Sequence, residues 1–501
     1  MQKITFRKLP RSVLLAVAAS PLIALGAIAD DNTPPFDVLF DDVTIVDPET
    51  EQVLPTRDVY IRDGRIAEIV SGETPEKTAT KVISGKGKYL MPGLMDMHVH
   101  LSIKPVLESS QQLLLANGVT SVRDMAGDCW PGGPEVFLCV DDLRAAHDSN
   151  LRGESFGPRI VEISSAPVMS DKSPRMPEKS MEEFVPFTED HARKVIDFLA
   201  EREVDLIKMY HPTTLEAATG FFEQAKAKGL PVGGHVPLTM DIADAAKMGI
   251  KSVEHARDLV WDCSLWGVAY KERFIKLTQG DKSVEYPTDQ MTLEQSLATA
   301  NEERCETTIN AMVEHNVYYV PTHITREFDV RVTDPSFFEM DALKYIGEMQ
   351  WGEWKRDIDN MAGEPEEIRK HYPAFFERGL ALTELAHSRG VDIMLGTDAN
   401  DSMVVPGFSA HHEMSLLVRA GLSPMVVLRS ATTIPAQYLG RTDDFGGVAE
   451  GKFADLVLLD ANPVENIANT NTISGVMLAG TWHDRASLDE RLSSLEVNVV
   501  Q

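Results

Sequence analysis

Residues 205–236 read DLIKMYHPTTLEAATGFFEQAKAKGLPVGGHV. The stretch opens on a short apolar run, DLIKMY, and closes on another, PVGGHV. Between them Ala218, Phe221, Phe222 and Ala225 recur at three- and four-residue spacing, the single apolar stripe of a helix that buries one face. Strand, helix, strand is the unit from which parallel sheets are built. A polar residue stands near the end of each strand: Lys208 in the first and His235 in the second.

The alternation extends in both directions. LMDMHVHL, TSVRDM, RIVEISSAP, SVEHAR, VYYVPTHI and DIMLGTDA are further strand candidates. Helical stretches separate them, such as FTEDHARKVIDFLAERE, where Val195, Ile196 and Leu199 form the stripe. Eight strands with intervening helices make an α/β fold, a (β/α)8 TIM barrel over 92–439, the economical architecture. Two insertions interrupt it, 258–291 and 325–375. The second carries Phe337, Phe338, Tyr345, Trp351 and Trp354. It suits either a lid over the barrel mouth or an ordinary surface decoration.

Outside the barrel the period changes. In DVLFDDVTIVD, RDVYIRDGRIAEIV and TKVISGKGKYL, Val43, Ile45, Val59, Ile61, Ile66 and Ile69 sit among polar and turn residues, with Asp63-Gly64 signalling a hairpin. GVAEGKFADLVLLDANP and ISGVMLAGTWHD are the C-terminal counterpart. The two segments, 30–91 and 440–501, are expected to combine into a small composite β-sandwich domain.

A chain of 501 residues exceeds one usual core, and 43% hydrophobic with 25% charged residues is an ordinary globular composition. Lys3, Arg7, Lys8 and Arg11 precede SVLLAVAASPLIALGAIA, which ends Ala27-Ile28-Ala29. That pattern predicts a signal peptide over 1–29, cleaved near Ala29, and so a periplasmic or secreted protein with no membrane span after cleavage. Removing those four cations takes the net charge from −29 to −33, which excludes nucleic acid and anionic membrane surfaces as natural partners. Four cysteines in an exported chain suggest disulfides; of three pairings, Cys129 with Cys139 and Cys263 with Cys305 is expected. The sequence leaves the oligomeric state open, a homo-oligomer included.

Barrel enzymes carry their chemistry at the C-terminal ends of strands. His98 and His100 alternate along LMDMHVHL and therefore share a face. Lys208 lies near the end of strand four, His235 ends strand five, His255 strand six and Asp398 strand eight. Singly each has a bland reading, a core histidine, a strand cap or a turn. Joint placement at equivalent ends of separate strands is harder to attribute to packing. Such donors suit zinc or a similar divalent ion, and their number is enough for two. Lys208 is the informative member: a buried lysine beside positive charge is driven toward the neutral amine, which can take up carbon dioxide to give a two-oxygen bridging carbamate.

With these residues in hand, the chain resembles the amidohydrolase superfamily. PGLMDMHVH, GVTSVRDM, GPRIVEISSAP, VDLIKMY, GGHVP, SVEHA, GTDA, SATTIPAQYLG and GKFADLVLLDANP match in the family's order. It looks most like the imidazolonepropionase-like group that holds Xaa-Pro dipeptidases, arginine-carboxypeptidase type enzymes and ochratoxin-hydrolysing amidases. The resemblance implies that His98, His100 and Asp398 hold one divalent ion, His235 and His255 a second, with carboxylated Lys208 and a hydroxide between them. Zinc is the expected ion. It further implies hydrolysis of the C–N bond of a small amide, a dipeptide or an N-acyl amino acid, with Asp398 moving the proton. Arg123, Tyr210, His211 and His323 are candidate substrate contacts, and His411 faces the same end by strand count; each can equally be structural. Family members often read PTL where this chain has Pro321-Thr322-His323. Two other readings stay open: a mononuclear cyclic-amide hydrolase or deaminase, and a non-catalytic barrel that only binds.

Overall fold

Where β-branched and aromatic residues alternate with polar ones, strands form: β1 (Phe36–Asp47), β2 (Gln52–Arg62), β3 (Arg65–Ser71), β4 (Ala79–Ser84) and β5 (Tyr89–Pro92). This is a computed structural model, and it describes residues 36–71, 77–125, 127–171, 184–285, 288–497 and 499. The expected leader over 1–29 lies outside the described residues. β2 and β3 are joined through Asp63 and Gly64, both at positive φ (53° and 70°), the backbone that a two-residue hairpin turn requires.

The C-terminal strands β13 (Leu456–Leu459), β14 (Ile473–Leu478) and β15 (Thr481–Asp484) belong to the same sheet, in the order β15-β14-β13-β5-β1-β2-β3, with β4 also paired to β1. The junction is antiparallel, Leu90 facing Leu458 and Tyr89 facing Leu459. Phe40, Val43, Ile45, Val59, Ile61 and Ile66 are buried together with Leu456, Leu458 and Met477, so the two ends of the chain share one apolar core.

Between these ends the strands are parallel and buried: β6 (Leu94–Val99), β7 (Val119–Asp124) and β8 (Arg159–Ile163) in one sheet, β9 (Ile207–Met209), β10 (Val232–Gly234), β11 (Ile250–Glu254) and β12 (Tyr318–Val320) in another. Single parallel bridges, Ser164 with Leu206 and Val168 with Met209, link β9 to the segment that leaves β8. The helices between strands bury the expected stripes: Val195, Ile196 and Leu199 in Glu189–Glu201, and Ala218, Phe221, Phe222 and Ala225 in Leu215–Lys228. The fold is mixed α/β.

The expected eighth strand, DIMLGTDA, differs. It makes only isolated bridges, Ile393 to Tyr319 and Ala399 to Val99. Its backbone still serves both neighbours: the Met394 N–H donates to Tyr319 O at 2.9 Å, and the Met97 N–H donates to Leu395 O at 2.9 Å. Part of its backbone bonds outside the two neighbouring strands, the Leu395 N–H donating to Ser430 O at 2.8 Å, and Asp398 at its end takes a left-handed φ of 69°. Gly396 permits the close approach, since a Cβ there would stand 2.3 Å from Val320 Cγ1 and 2.9 Å from His98 Cβ.

Cys129 is bonded to Cys139 and Cys263 to Cys305. The second insertion packs Phe337, Leu343, Tyr345, Trp354 and Ile358 against Met403 and Val405, which follow Asp398 in the chain. Among the described residues no helix is long and apolar enough to cross a membrane.

Candidate metal centre

His98, on the last turn of the pleat in β6, is fully buried, and its Nδ1 lies 2.9 Å from Glu254 Oε2 at the end of β11. With Nδ1–H donating to that carboxylate, Nε2 is left as the lone-pair atom. It lies 3.3 Å from Lys208 Nζ and 3.2 Å from Asp398 Oδ1. Asp398 Oδ1 is also 3.0 Å from His100 Nε2, and its Oδ2 is 3.6 Å from His255 Nδ1. The His235 and His255 rings stand 4.6 Å apart edge-on, and those of His98 and His255 4.9 Å. Six side chains from five segments, the ends of β6, β9, β10 and β11 and the 391–400 segment, are thus gathered in one place.

His100 Nε2 and Asp398 Oδ1 are buried and 3.0 Å apart, yet neither has a well-directed hydrogen bond among the described residues. Donor atoms that crowd together without pairing face a common point, as the ligands of a cation do. His98, His100 and Asp398 each offer one such atom, all within 4.8 Å of one another. Asp128, Cys129 and Cys139 also cluster, but their sulfurs are spent in the disulfide.

The electrostatics favour ligand-competent forms. Burial holds the His235 and His255 imidazoles well below the ordinary histidine range, hence neutral. Burial works to raise the Asp398 carboxyl, but His98, His100 and His255 together hold it well below the usual carboxylate range, hence ionised. Lys208 is pushed down to about 8, against the pull of Glu254 and Asp398. Burial is the largest cause, and the neighbouring positive charge of Arg123 adds to it. His255 (φ 70°) and Asp398 (φ 69°) both hold left-handed backbone, strain that non-glycine residues keep where the surroundings over-determine it.

Other candidates separate. Arg123 is fully buried and donates to Met97 O, Ser252 Oγ, Tyr438 Oη and Glu254 Oε1, a pairing with a barrel carboxylate. His323 is fully buried at the start of the helix His323–Arg331, with Nε2 2.9 Å from Thr383 Oγ1. His411 is structural, held between Thr470 Oγ1 and Asn117 O. Tyr210 and His211 remain at the site. The Tyr210 ring stacks on His235 at 4.2 Å, and His211 Nε2–H donates to Asp258 Oδ1 at 2.9 Å.

Four residues escaped the sequence reading. Glu254 orients His98; Asp96 accepts from the Thr397 N–H and hydroxyl and ties the last segment to β6. Asp258 orients His211, and Arg257 Nη2 reaches Nδ1 of both His211 (3.3 Å) and His235 (3.1 Å). Period-two spacing was the available signal for the first two: Asp96 precedes His98 and His100 on one face, and Glu254 follows Ser252.

The second insertion borders the same space. In its helix Glu348–Ala362 the Gln350 amide and Trp354 Nε1–H donate to Asn400, at 3.1 and 3.3 Å, and Ser402 Oγ–H donates to Asp357 at 2.6 Å. A cavity of about 190 Å³ lies between this helix and His100, lined also by Ile103, Met349, Trp354 and Asp401.

The amidohydrolase family model matches residues 89–483. Among curated relatives, adenine deaminase 2 of Shouchella clausii (strain KSM-K16) is 35% identical over 130 residues, 24% of this chain and 22% of that protein. Dihydroorotase of Trichlorobacter lovleyi is 37% identical over 84 residues, 16% of this chain and 19% of that protein. Such matches span less than a quarter of those relatives' own length. A solved Xaa-Pro dipeptidase with bound methionine is similar over 89% of this chain and 99% of that one, with a TM-score of 0.64 at 20% identity. The bottromycin amidohydrolase structure is similar over 92% and 91%, with a TM-score of 0.68 at 22% identity. These structures share a TIM-barrel-like α/β fold with this protein. With that fold, and with the family match running from β5 to the C-terminal strands, the chain belongs to the amidohydrolase family, hydrolases that act on C–N bonds.

Proposed function

We propose that this amidohydrolase cleaves the C–N bond of a small amide, a dipeptide or an N-acyl amino acid, using two divalent ions, with zinc the expected one. The observation that carries the reading is the convergence of His98 Nε2, His100 Nε2 and Lys208 Nζ with Asp398, beside His235 and His255. His98, His100 and Asp398 would hold one ion, His235 and His255 the other, and carboxylated Lys208 would bridge them. Bound divalent ions would supply Lewis-acid polarisation of the carbonyl and a water of lowered pKa.

The chain's own groups do the rest. Ionised Asp398 accepts the proton of the attacking water and returns it to the departing nitrogen, a role worth typically 10²–10⁴-fold. Glu254 keeps the proton of His98 on Nδ1. Tyr210, stacked on His235, is placed to donate to the carbonyl oxygen as charge develops there, while His211, whose Nε2–H is given to Asp258, would contact substrate only as a packing neighbour on that side.

Several architectural readings belong with this proposal. The parallel strands would close into a (β/α)8 barrel over 92–439, supported by the 391–400 segment bonding both β12 and β6. The shared sheet supports a composite β domain built from 30–91 and 440–501. Export to the periplasm or medium, with cleavage near Ala29, rests on the N-terminal sequence alone.

A second reading has its own support: His98, His100 and Asp398 form a group of three whose ligand atoms all lie within 4.8 Å of one another, which suits a single ion and a cyclic-amide hydrolase or deaminase. Metal content per chain, measured with hydrolysis of a panel of dipeptides, N-acyl amino acids, cyclic amides and adenine, tests both. About two ions with amide cleavage supports the first reading; one ion with ring opening or deamination replaces it.

A further inference from the structure

We infer that Thr322 is a positioning residue for the candidate ligand His255: its hydroxyl accepts the Nδ1–H of that ring and so keeps Nε2 open to a divalent ion. This rests on the reading of His255 as a metal ligand and names the residue that holds it in the ligating form.

Thr322 lies two residues beyond β12, immediately before the helix His323–Arg331. Its backbone is left-handed, with φ 44° and ψ 52°. A β-branched residue rarely holds that conformation, which glycine takes without strain. A threonine at the start of a helix ordinarily turns its hydroxyl onto the first free N–H groups. Thr322 makes no such bond. The N–H groups of His323 and Ile324 go instead to the two carboxylate oxygens of Glu413, at 2.8 Å each. The Thr322 hydroxyl is turned the other way, with Oγ1 2.8 Å from His255 Nδ1, and both residues are buried.

The backbone of His255 is tied to the same segment. Its N–H donates to Val320 O and the Ala256 N–H donates to Pro321 O, both at 2.8 Å, so residues 320–322 register the main chain and the ring together. Asp398 Oδ2, 3.6 Å from Nδ1, is beyond a hydrogen bond. With Nδ1–H donating to Oγ1, Nε2 keeps its lone pair, the arrangement of a ligating imidazole that gives its other N–H to an oxygen. The reverse polarity, with the hydroxyl donating to Nδ1, would place the proton on Nε2 and block coordination. The structural alternative is that the hydroxyl only satisfies a buried ring nitrogen.

The experiment titrates zinc into metal-stripped protein against a competing chromophoric chelator, with melting temperatures measured alongside. The parent is compared with Thr322→Ser, Thr322→Val and Thr322→Gly. The parent should bind about two ions per chain. Thr322→Val should weaken one binding step about 10- to 100-fold and leave the other unchanged. Thr322→Ser keeps the hydroxyl and should bind as the parent does. Thr322→Gly suits the left-handed backbone, so it should melt no lower than Thr322→Val yet bind zinc as weakly, which separates the hydroxyl from the fold. If Thr322→Val does not fold, Thr322→Gly against Thr322→Ser carries the test. Unchanged or tighter binding without the hydroxyl, equal weakening of both steps, or Thr322→Ser as weak as Thr322→Val overturns the inference. A parent that binds one ion, weakened in Thr322→Val and restored in Thr322→Ser, keeps the positioning role and removes the two-ion reading. Two ions with neither step moved does the reverse, and one unmoved ion or none removes both.

Discussion

Glu254 Oε2 stands 2.9 Å from His98 Nδ1, while Oε1 of the same carboxylate receives the Arg123 guanidinium at 2.8 Å. One fully buried acid therefore sets the tautomer of a candidate ligand and neutralises the charge under the site. Its carboxyl, despite burial, is held down to about 2, with Arg123 and His98 as the offsetting partners. Glu254→Gln replaces an acceptor with an amide that can donate to Nδ1, which would move the imidazole proton to Nε2 and block the lone pair. It also leaves Arg123 without its anion. The expected outcome is a loss of about 3 kcal/mol in unfolding free energy and a 10- to 100-fold fall in metal affinity. Urea unfolding of the chelator-treated protein and metal titration read the two effects apart.

Asp398 occupies the centre of the ligand cluster, so Asp398→Asn tests the proton-carrying role. The amide cannot accept the proton, and its nitrogen would face His98 or His100. Hydrolysis should fall by about 10²–10⁴ in kcat with the fold retained. If kcat matched the parent on a cleaved amide, Asp398 would not be the proton carrier. Lys208→Ala should in turn lower the metal content per chain, read by elemental analysis.

How much of this was legible beforehand follows from the range of each signal. Helix and strand positions followed local periodicity, and the stripes of 189–201 and 215–228 are buried as read. His98, His100, Lys208, His235, His255 and Asp398 could be placed together because barrel geometry brings strand ends to one side. Which carboxylate meets Arg123 was not legible, because a buried strand hides its partners; Glu254 lies 131 residues further along the chain. DIMLGTDA looked like an ordinary strand because nothing local announces the left-handed backbone at Asp398. Arg257 and Asp258 sat in plain view after SVEHA, but a charge pair on a helix usually reads as a solvated face.

Glu413 gives a pH prediction away from the ligands. It is fully buried and accepts the His323 and Ile324 N–H groups at 2.8 Å each, where the helix His323–Arg331 begins. Burial pushes its carboxyl up to about 8, against those two hydrogen bonds. A carboxyl raised in the folded state loses stability as pH rises from the unfolded value near 4.5 to the folded value, because the unfolded chain releases the proton first. The parent should therefore lose up to about 5 kcal/mol relative to Glu413→Gln between pH 4.5 and 8, and run parallel to it above pH 8. Denaturant midpoints of both proteins across that window decide it; a constant difference would mean the carboxyl ionises normally inside.

The two disulfides should differ in what they contribute. Cys263–Cys305 closes 42 residues of sequence and Cys129–Cys139 closes 10. In the chain-entropy account the longer loop restricts the unfolded chain more, about 4 kcal/mol against about 3. The longer link also joins the end of the helix Ala256–Asp262, which carries Arg257 and Asp258, to the helix Glu302–Glu314. Replacing Cys263 and Cys305 by serine should thus cost more stability than replacing Cys129 and Cys139, and should also weaken binding at the His211–Arg257 side. The shorter link ties the loop after β7, on the other side of Asp128, whose carboxylate pairs with Arg202. Its loss should lower the melting temperature with little change in KM. Equal stability costs would favour an enthalpic origin for both links, and an unchanged KM in the longer-loop variant would separate that disulfide from the site.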